Sequence, residues 1–270
     1  MIEKIAMKHK DWKGISKANL NEKLARVLRA YDILKTPRVR EVILDCDRSK
    51  YVPSEYKSLA FYDSPLPIGF NATISAPHMH AMTLEYLKDY LKPHSRVLDV
   101  GSGSGILCAL FIRMMEFKGL VVGIEHIEQL SQRSRLSILD DLKAEHNDEK
   151  FKLTLLLENE RSKIKEIEVK ENDPGRILLI NGDGRKGVPE LGPYNCIHVG
   201  AALSFEYKVL LEQLAPGGRM MAPVYNKYGT QEIVIFDKDS NGKVSQENIC
   251  QVRFVPLTSK ESQLDSDIFD

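Results

Sequence analysis

Arg96–Gly105 reads RVLDVGSGSG, an apolar run that passes directly into glycines separated by single serines. Val97, Leu98 and Val100 suit a buried strand, with Asp99 near its C-terminal end. Gly101, Ser102, Gly103, Ser104 and Gly105 allow a turn tight enough for backbone to approach a ligand, and Ile106 to Phe117 continues as a helix. The pattern describes the floor of a nucleotide-type cofactor site. A bare turn closing a core strand is the competing reading. The GIEH stretch, Gly123 to His126, favours the former: after a second apolar strand, Leu120 to Glu125, it places Glu125 where its carboxylate accepts two ribose hydroxyl bonds.

Composition narrows the classes. A chain of 270 residues can bury a full core. Its 38 basic and 38 acidic residues balance, which removes the electrostatic case for a dedicated nucleic-acid or membrane-surface binder. Cys46, Cys108, Cys196 and Cys250 are widely spaced with no CxxC pair, the pattern of reduced thiols and not of a disulfide framework or zinc site. His78 and His80 form an HMH, but no third ligand accompanies them, so no metal is expected. The N-terminus mixes Glu3, Lys4, Lys8, Lys10 and Asp11 without an apolar core, and no apolar run reaches bilayer length. A cytoplasmic location, no membrane and a monomer are the expectations.

Residues 1–18 read as a polar arm carrying Trp12. From Asn19, Leu20, Leu24, Val27, Leu28 and Tyr31 have helical spacing, with Asn19 or Asn21 as cap. Thr36 and Pro37 open a second helix whose stripe is Val39, Val42, Ile43 and Cys46. Lys50 to Phe70, with Pro53, Pro65 and Pro67, reads as an ordered loop. A short β-prone segment, Asn71 to Ala76, leads into a helix to about Leu91, with Ser75 as its N-cap and Pro77 in its first turn. The free amides there suit a carboxylate.

A third helix is predicted from Ile127 to Leu142. The stretch 141–176 then holds 10 acidic and 8 basic residues, and reads as a solvent-facing insertion with a strand pair, Lys152 to Leu157 and Ile164 to Val169, an entirely disordered linker being the alternative. Strands follow at Ile177 to Ile180 and Tyr194 to Val199, a helix at Phe205 to Leu214, and a strand at Arg219 to Val224 after the breakers Pro216, Gly217 and Gly218. Glu232 to Phe236 and Ile249 to Val255 flank Asn241-Gly242, a hairpin signal. This order predicts one doubly wound α/β domain, 19–263, with N-terminal helices, a C-terminal β-hairpin and a polar tail, 264–270.

Several segments together carry a resemblance. DRSKYVP (Asp47 to Pro53), YDSP (Tyr62 to Pro65), GFNATISAPHMHA (Gly69 to Ala81), DVGSGSGI (Asp99 to Ile106), GIEHI (Gly123 to Ile127), GDGR (Gly182 to Arg185), HVGAA (His198 to Ala202) and VPLTSKESQ (Val255 to Gln263) occur in the order of the protein-L-isoaspartate O-methyltransferase family, which the chain closely resembles from Leu20 to Gln263 apart from the charged stretch. The resemblance implies a Rossmann-like fold, S-adenosyl-L-methionine as cofactor, and methyl transfer to the free α-carboxylate of isoaspartyl residues in damaged proteins or peptides. By motif position it implies Ser75 as the catalytic serine; Ala72, Thr73, Ile74, Ser75 and His80 at the cofactor's edge; Asp99, Gly101, Ser102, Gly103, Ser104, Glu125, His126, Asp183 and Gly184 around methionine, ribose and adenine; and Thr258 and Gln263 as a closing segment.

The residues read alone leave His80 open to a packed role and Asp183 to turn-making. Asp99 is expected to organise the glycine-turn amides or to meet the methionine amino group. His198 reads as a structural partner. The chain departs from the family at Glu125, where aspartate is common, at Leu203 to Tyr207 and at Tyr225 to Thr230. A small-molecule carboxyl methyltransferase, or a non-catalytic partner-binding module docking through 141–176, are the alternative functions.

Overall fold

The computed structural model describes residues 17–143, 151–167, 173–204 and 207–265. Trp12 and the expected arm before residue 17, 144–150 and 168–172 of the charged stretch, 205–206 of the expected helix, and the tail from 266 lie outside the described residues.

The chain opens with α1 (Lys17–Ala30) and α2 (Pro37–Asp45), a two-strand hairpin of β1 (Leu66–Gly69) and β2 (Ala72–Ile74), and α3 (Pro77–Leu87). Next come β3 (Arg96–Val100), α4 (Ile106–Met114), β4 (Leu120–Glu125), α5 (Glu128–Lys143), β5 (Phe151–Leu156) and β6 (Gly175–Asn181). The chain then runs through β7 (Tyr194–Val199), α6 (Lys208–Glu212), β8 (Leu214–Tyr225), β9 (Gln231–Lys238), β10 (Val244–Val252) and α7 (Lys260–Asp265). The main sheet has the order β10-β9-β8-β7-β3-β4-β6-β5. It is parallel from β8 to β5, and β9 and β10 add antiparallel.

Unbroken apolar runs make the centre of this sheet, because a parallel strand covered on both faces has no side to leave polar. Val97, Val121, Ile177 and Cys196 point into the layer holding Leu84, Leu110 and Phe111. Their neighbours Leu98, Val122, Leu178 and Ile197 point into the opposite layer with Leu191, Leu210 and Leu214. From β3 the chain moves to β4 on one side, and only after β6 crosses to β7 on the other. That reversal opens a crevice over the carboxyl ends of β3 and β7, where doubly wound folds bind ligands.

Buried polar groups fix the helices over the sheet. Asn21 is not a cap, since α1 begins at Lys17. Its buried side chain donates to the carbonyls of Ile43, Leu44 and Cys46 at 3.1, 2.9 and 3.2 Å, satisfying the end of α2. Asp141 on α5 pairs with Arg113 on α4 at 3.0 Å and accepts from the Tyr51 hydroxyl at 2.6 Å, joining two helices to the segment before the hairpin. Removing one member leaves the other charge buried and uncompensated.

Four expectations are corrected. Lys50 to Phe70 is not all loop: β1 lies within it, and Phe70 and Asn71 turn at φ 56° and 54° into β2. The charged stretch does not form its own hairpin, because β5 pairs parallel with β6 at the sheet edge and 158–166 is a 3-10 helix. Leu153 and Leu155 therefore pack on the main core. The helix expected to Leu214 is only α6, and Pro216 to Gly218 sit inside β8, where pairing with β7 shifts register between Tyr194 and Cys196.

Thr36 caps α2 without a side-chain bond. Glu85 of α3 does the work instead, accepting from the amides of Lys35 and Thr36 at 2.8 and 2.6 Å and from the Thr36 hydroxyl at 2.5 Å. Burial raises the Glu85 pKa, but the bonds from Thr36, Lys35 and Lys88 outweigh it and leave the carboxyl below its usual 4.5. A depressed pKa means the contribution is present above the unfolded value and is lost as pH falls through the folded one. Unfolding free energy is expected to drop on acidification below about pH 4.5, and Glu85→Gln to cost about 1.5–3 kcal/mol at neutral pH while flattening that acid limb. Urea titrations of both proteins across pH 3 to 7 measure this; an unchanged acid limb in the variant contradicts it.

Candidate active site

The crevice over β3, β4, β6 and β7 is a cleft lined by residues from all four strand ends. Its floor is the glycine turn, with Gly101, Gly103 and Gly105 at φ 71°, 49° and 80°. This turn hangs on the end of β4: the Gly101 and Ser102 amides donate to the Ile124 carbonyl at 2.9 and 3.1 Å, and the Gly103 amide donates to Glu125 Oε2 at 3.1 Å. Glu125 Oε1 accepts from the Ile127 amide at 2.9 Å, at the entrance to α5. The side chain is only 7% exposed, so burial raises its pKa while the amides of Ile127 and Gly103 pull the other way. A carboxylate offers about four lone-pair sites, and two remain for ligands on the cleft wall. A vicinal diol is the neutral group that matches two adjacent acceptors.

Ala72 and Thr73 bring the hairpin onto the same cleft as Gly101, Gly103, Glu125, His126, Gly184, Thr258 and Gln263. Among these, Gly184 has no room for a side chain, since a Cβ there meets Val100 Cγ1 at 2.9 Å. Asp183, next to it, is held by Arg185 through bonds of 2.9, 3.2 and 2.8 Å, which keep its carboxyl below the usual 3.8 despite burial.

Other expected site residues stand outside the cleft lining. Ile74 is core, at 2% exposure. Ser102 is buried in the turn, and Ser104 faces a second cavity with Tyr51, Leu130 and Arg133. Ser75 is half-buried just past the hairpin, with no hydrogen-bond partner among the described residues. It is not the N-cap of α3; Ala76 is, and the His78 amide at the helix start is taken by Asp63 at 2.8 Å. Asp99 does not reach the glycine-turn amides, because both its oxygens are engaged beneath them: Oδ1 with His198 Nδ1 at 2.7 Å and Oδ2 with the Cys108 thiol at 3.4 Å. His80 is buried against Arg48.

The C-terminal segment closes the cleft as a strap. The Ala202 amide donates to the Val255 carbonyl and the Leu257 amide to the Ala202 carbonyl, each at 2.8 Å. Farther on, Gln263 is buried on α7: Nε2 donates to the Phe70 carbonyl at 2.8 Å, which leaves Oε1 to accept from His126 Nε2 at 2.9 Å. Asn71 Nδ2 donates to the Gln263 carbonyl at 2.9 Å. Both ends of the Gln263 amide are thus spent on a latch between α7, the hairpin tip and the end of β4. Sequence reasoning missed Ile124, Gly200, Ala201, Val255, Pro256 and Leu257, which also line the cleft. HVGAA and VPLT hold the signal for most of these, but of the two segments only Thr258 reads as a site residue from sequence.

Gln263→Ala is expected to free α7 from the hairpin at a cost of about 1–3 kcal/mol locally, raising amide exchange at 257–265 by roughly 5- to 100-fold with the strands of the sheet unchanged. Hydrogen exchange read by mass spectrometry checks it, and equal exchange in both proteins contradicts the latch.

Comparison with known proteins follows the same outline. The family model described as protein-L-isoaspartate(D-aspartate) O-methyltransferase matches residues 18–262. A protein-L-isoaspartate O-methyltransferase of Triticum aestivum is 42% identical over 246 residues, covering 90% of this chain and 94% of the relative. That of Caenorhabditis elegans is 38% identical over 248 residues, covering 92% and 96%. A Plasmodium falciparum protein-L-isoaspartate O-methyltransferase crystallised with S-adenosyl-L-homocysteine superposes with a TM-score of 0.69 at 28% identity, covering 88% of this chain and 98% of that one.

Proposed function

The chain belongs to the protein-L-isoaspartate(D-aspartate) O-methyltransferase family, and from that premise we propose that its cleft begins protein repair, with Ser75 aligning the carboxylate to be methylated. It methylates L-isoaspartyl residues with S-adenosylmethionine as donor. What supports the finer reading is that the hairpin segment and the glycine turn share one cleft: Ala72 and Thr73 line it with Gly101 and Gly103.

The donor set suits that cofactor. Glu125 would hold the ribose diol, the glycine turn would let backbone approach the amino-acid end, and Gly184 and Thr258 would flank the base. When bound, S-adenosylmethionine supplies an electrophilic methyl group. An isoaspartyl α-carboxylate is already a nucleophile, so this chain need not remove a proton; it must orient one oxygen and exclude water. Ser75 is a poor base without an activating partner, and it has no hydrogen-bond partner among the described residues, but its hydroxyl can donate to the carboxylate. The methyl ester then reacts without further help: the following backbone nitrogen attacks the ester carbonyl, methanol leaves, and water opens the succinimide partly to aspartate. Isoaspartyl-containing proteins are the proposed partners. A cytoplasmic setting accords with Cys108 and Cys196 sitting as buried thiols.

Because Ser75 caps no helix, its removal is expected to change stability little while lowering single-turnover methyl transfer by roughly 10- to 1000-fold. Ser75→Thr retains the hydroxyl and should stay near the parental rate. Transfer measured on an isoaspartyl peptide, its aspartyl isomer and small carboxylic acids tests the whole reading. Parental transfer by folded Ser75→Ala contradicts the role of the serine, and equal labelling of the two peptides contradicts the repair assignment.

A further inference from the structure

Arg48 is 4% exposed, and so is His80. The arginine lies in the 3-10 turn Arg48–Lys50 and reaches the first turn of α3, where Nη1 meets His80 Nδ1 at 3.3 Å. Nη2 donates to the Ser64 carbonyl at 3.4 Å, and Nε is buried with no partner among the described residues. A guanidinium so poorly satisfied costs free energy, which calls for a compensating use.

The geometry of the pair dictates one. A guanidinium has only donors, so the imidazole nitrogen facing it must accept. An imidazole that accepts at Nδ1 carries its proton on Nε2. The surroundings agree: burial first, then the fields of Arg48, His198 and His78, push the His80 pKa well below 6.5, so the ring is neutral. Arg48 stays cationic at neutral pH, since burial lowers its pKa only to about 9 against the pull of Cys46 and Asp63. The Nε2–H of His80 has no protein partner among the described residues. His198, whose field reaches this ring, stands on β7 next to Gly200 and Ala201 of the cleft. Ser75 precedes the same helix.

We propose that Arg48 is a positioning residue: by donating to Nδ1 it holds His80 as the tautomer with its proton on Nε2, and so presents an oriented donor to a carboxylate held beside Ser75, at the margin of the cleft. The inference rests on the methyltransferase reading for the carboxylate's identity, but the tautomer does not. Two carboxylates are available, that of the isoaspartyl residue and that of the cofactor's amino-acid end.

Long-range 15N–1H correlation spectra of ligand-free protein at neutral pH, with the His80 signals assigned by their loss in His80→Gln, read the tautomer directly. The expected result is a protonated Nε2 and an unprotonated Nδ1. A proton on Nδ1, or on both nitrogens, overturns the proposal even if methyl transfer proceeds normally. S-adenosylhomocysteine alone and isoaspartyl peptide alone are then titrated in. A shift of Nε2–H with the first assigns the donor to the cofactor's carboxylate, a shift with the second to the substrate's, and no shift with either, or with both together, overturns the presentation. Arg48→Lys, which also can only donate, should keep the tautomer. Arg48→Met should release it to a mixture and lower kcat/KM for the isoaspartyl peptide by about 10- to 100-fold. A folded Arg48→Met protein with the parental tautomer and parental kcat/KM contradicts the role; should that variant not fold, the spectra of the parental protein decide the matter.

Discussion

One carboxylate holds the site together. Glu125 joins the Gly103 amide of the glycine turn to the Ile127 amide at the start of α5, and its own carbonyl accepts from the Asn181 side chain and the Gly182 amide at the end of β6, each at 3.0 Å. Three parallel strands therefore end in register around a single residue, its carboxylate serving the turn and α5 and its carbonyl serving β6. The arrangement requires burial of a charge, and it is tolerable because two backbone donors and the entrance of a helix face that charge. Everything that lines the cleft is placed relative to this point: the turn below it, Gly184 beside it, and His126 with its latch to Gln263 above it.

The glycines show why the turn cannot be built otherwise. A Cβ at Gly105 would meet Ile138 and Ser134 of α5 at 2.9 Å, and one at Gly200 would meet the Gly101 carbonyl at the same distance. The helix following β3 is pressed against α5 side chains and the loop following β7 against the backbone of the glycine turn, so neither position admits a side chain. Specificity in such a site comes from a few side chains at the margin. Glu125, Thr73, Thr258 and the Ser75 region carry most of the polar chemistry, while the strap at Val255 to Leu257 supplies apolar cover.

The central strands were legible because burial on both faces leaves a local signature. Leu120–Glu125 and Tyr194–Val199 have the predicted bounds, and β3 ends where its apolar run meets Gly101. Partner choice has no such signature. Lys152 to Leu157 reads as a strand, but whether it folds on its own neighbour or reaches β6 depends on contacts distant in sequence. The site divides in the same way. Glu125 was found because its place at a strand end dictates its chemistry, whereas Asp99, one strand over, meets His198 and Cys108, neither of which announces itself as its partner. Ser75 reads locally as a cap, yet Pro77 shifts the helix start so that Ala76 takes that position.

By the proposed function, the carboxylate organising the turn is also the ribose acceptor. Calorimetric titration of S-adenosylhomocysteine into the parental protein and Glu125→Gln, with melting curves on the same samples, tests it. The amide must turn its NH2 toward one of the two amides or toward the diol, so about one charge-assisted bond is lost, worth roughly 1.5–3 kcal/mol, or about 10- to 150-fold in affinity. That loss is expected in a variant that still melts cooperatively. Undiminished affinity in a folded Glu125→Gln protein would contradict it.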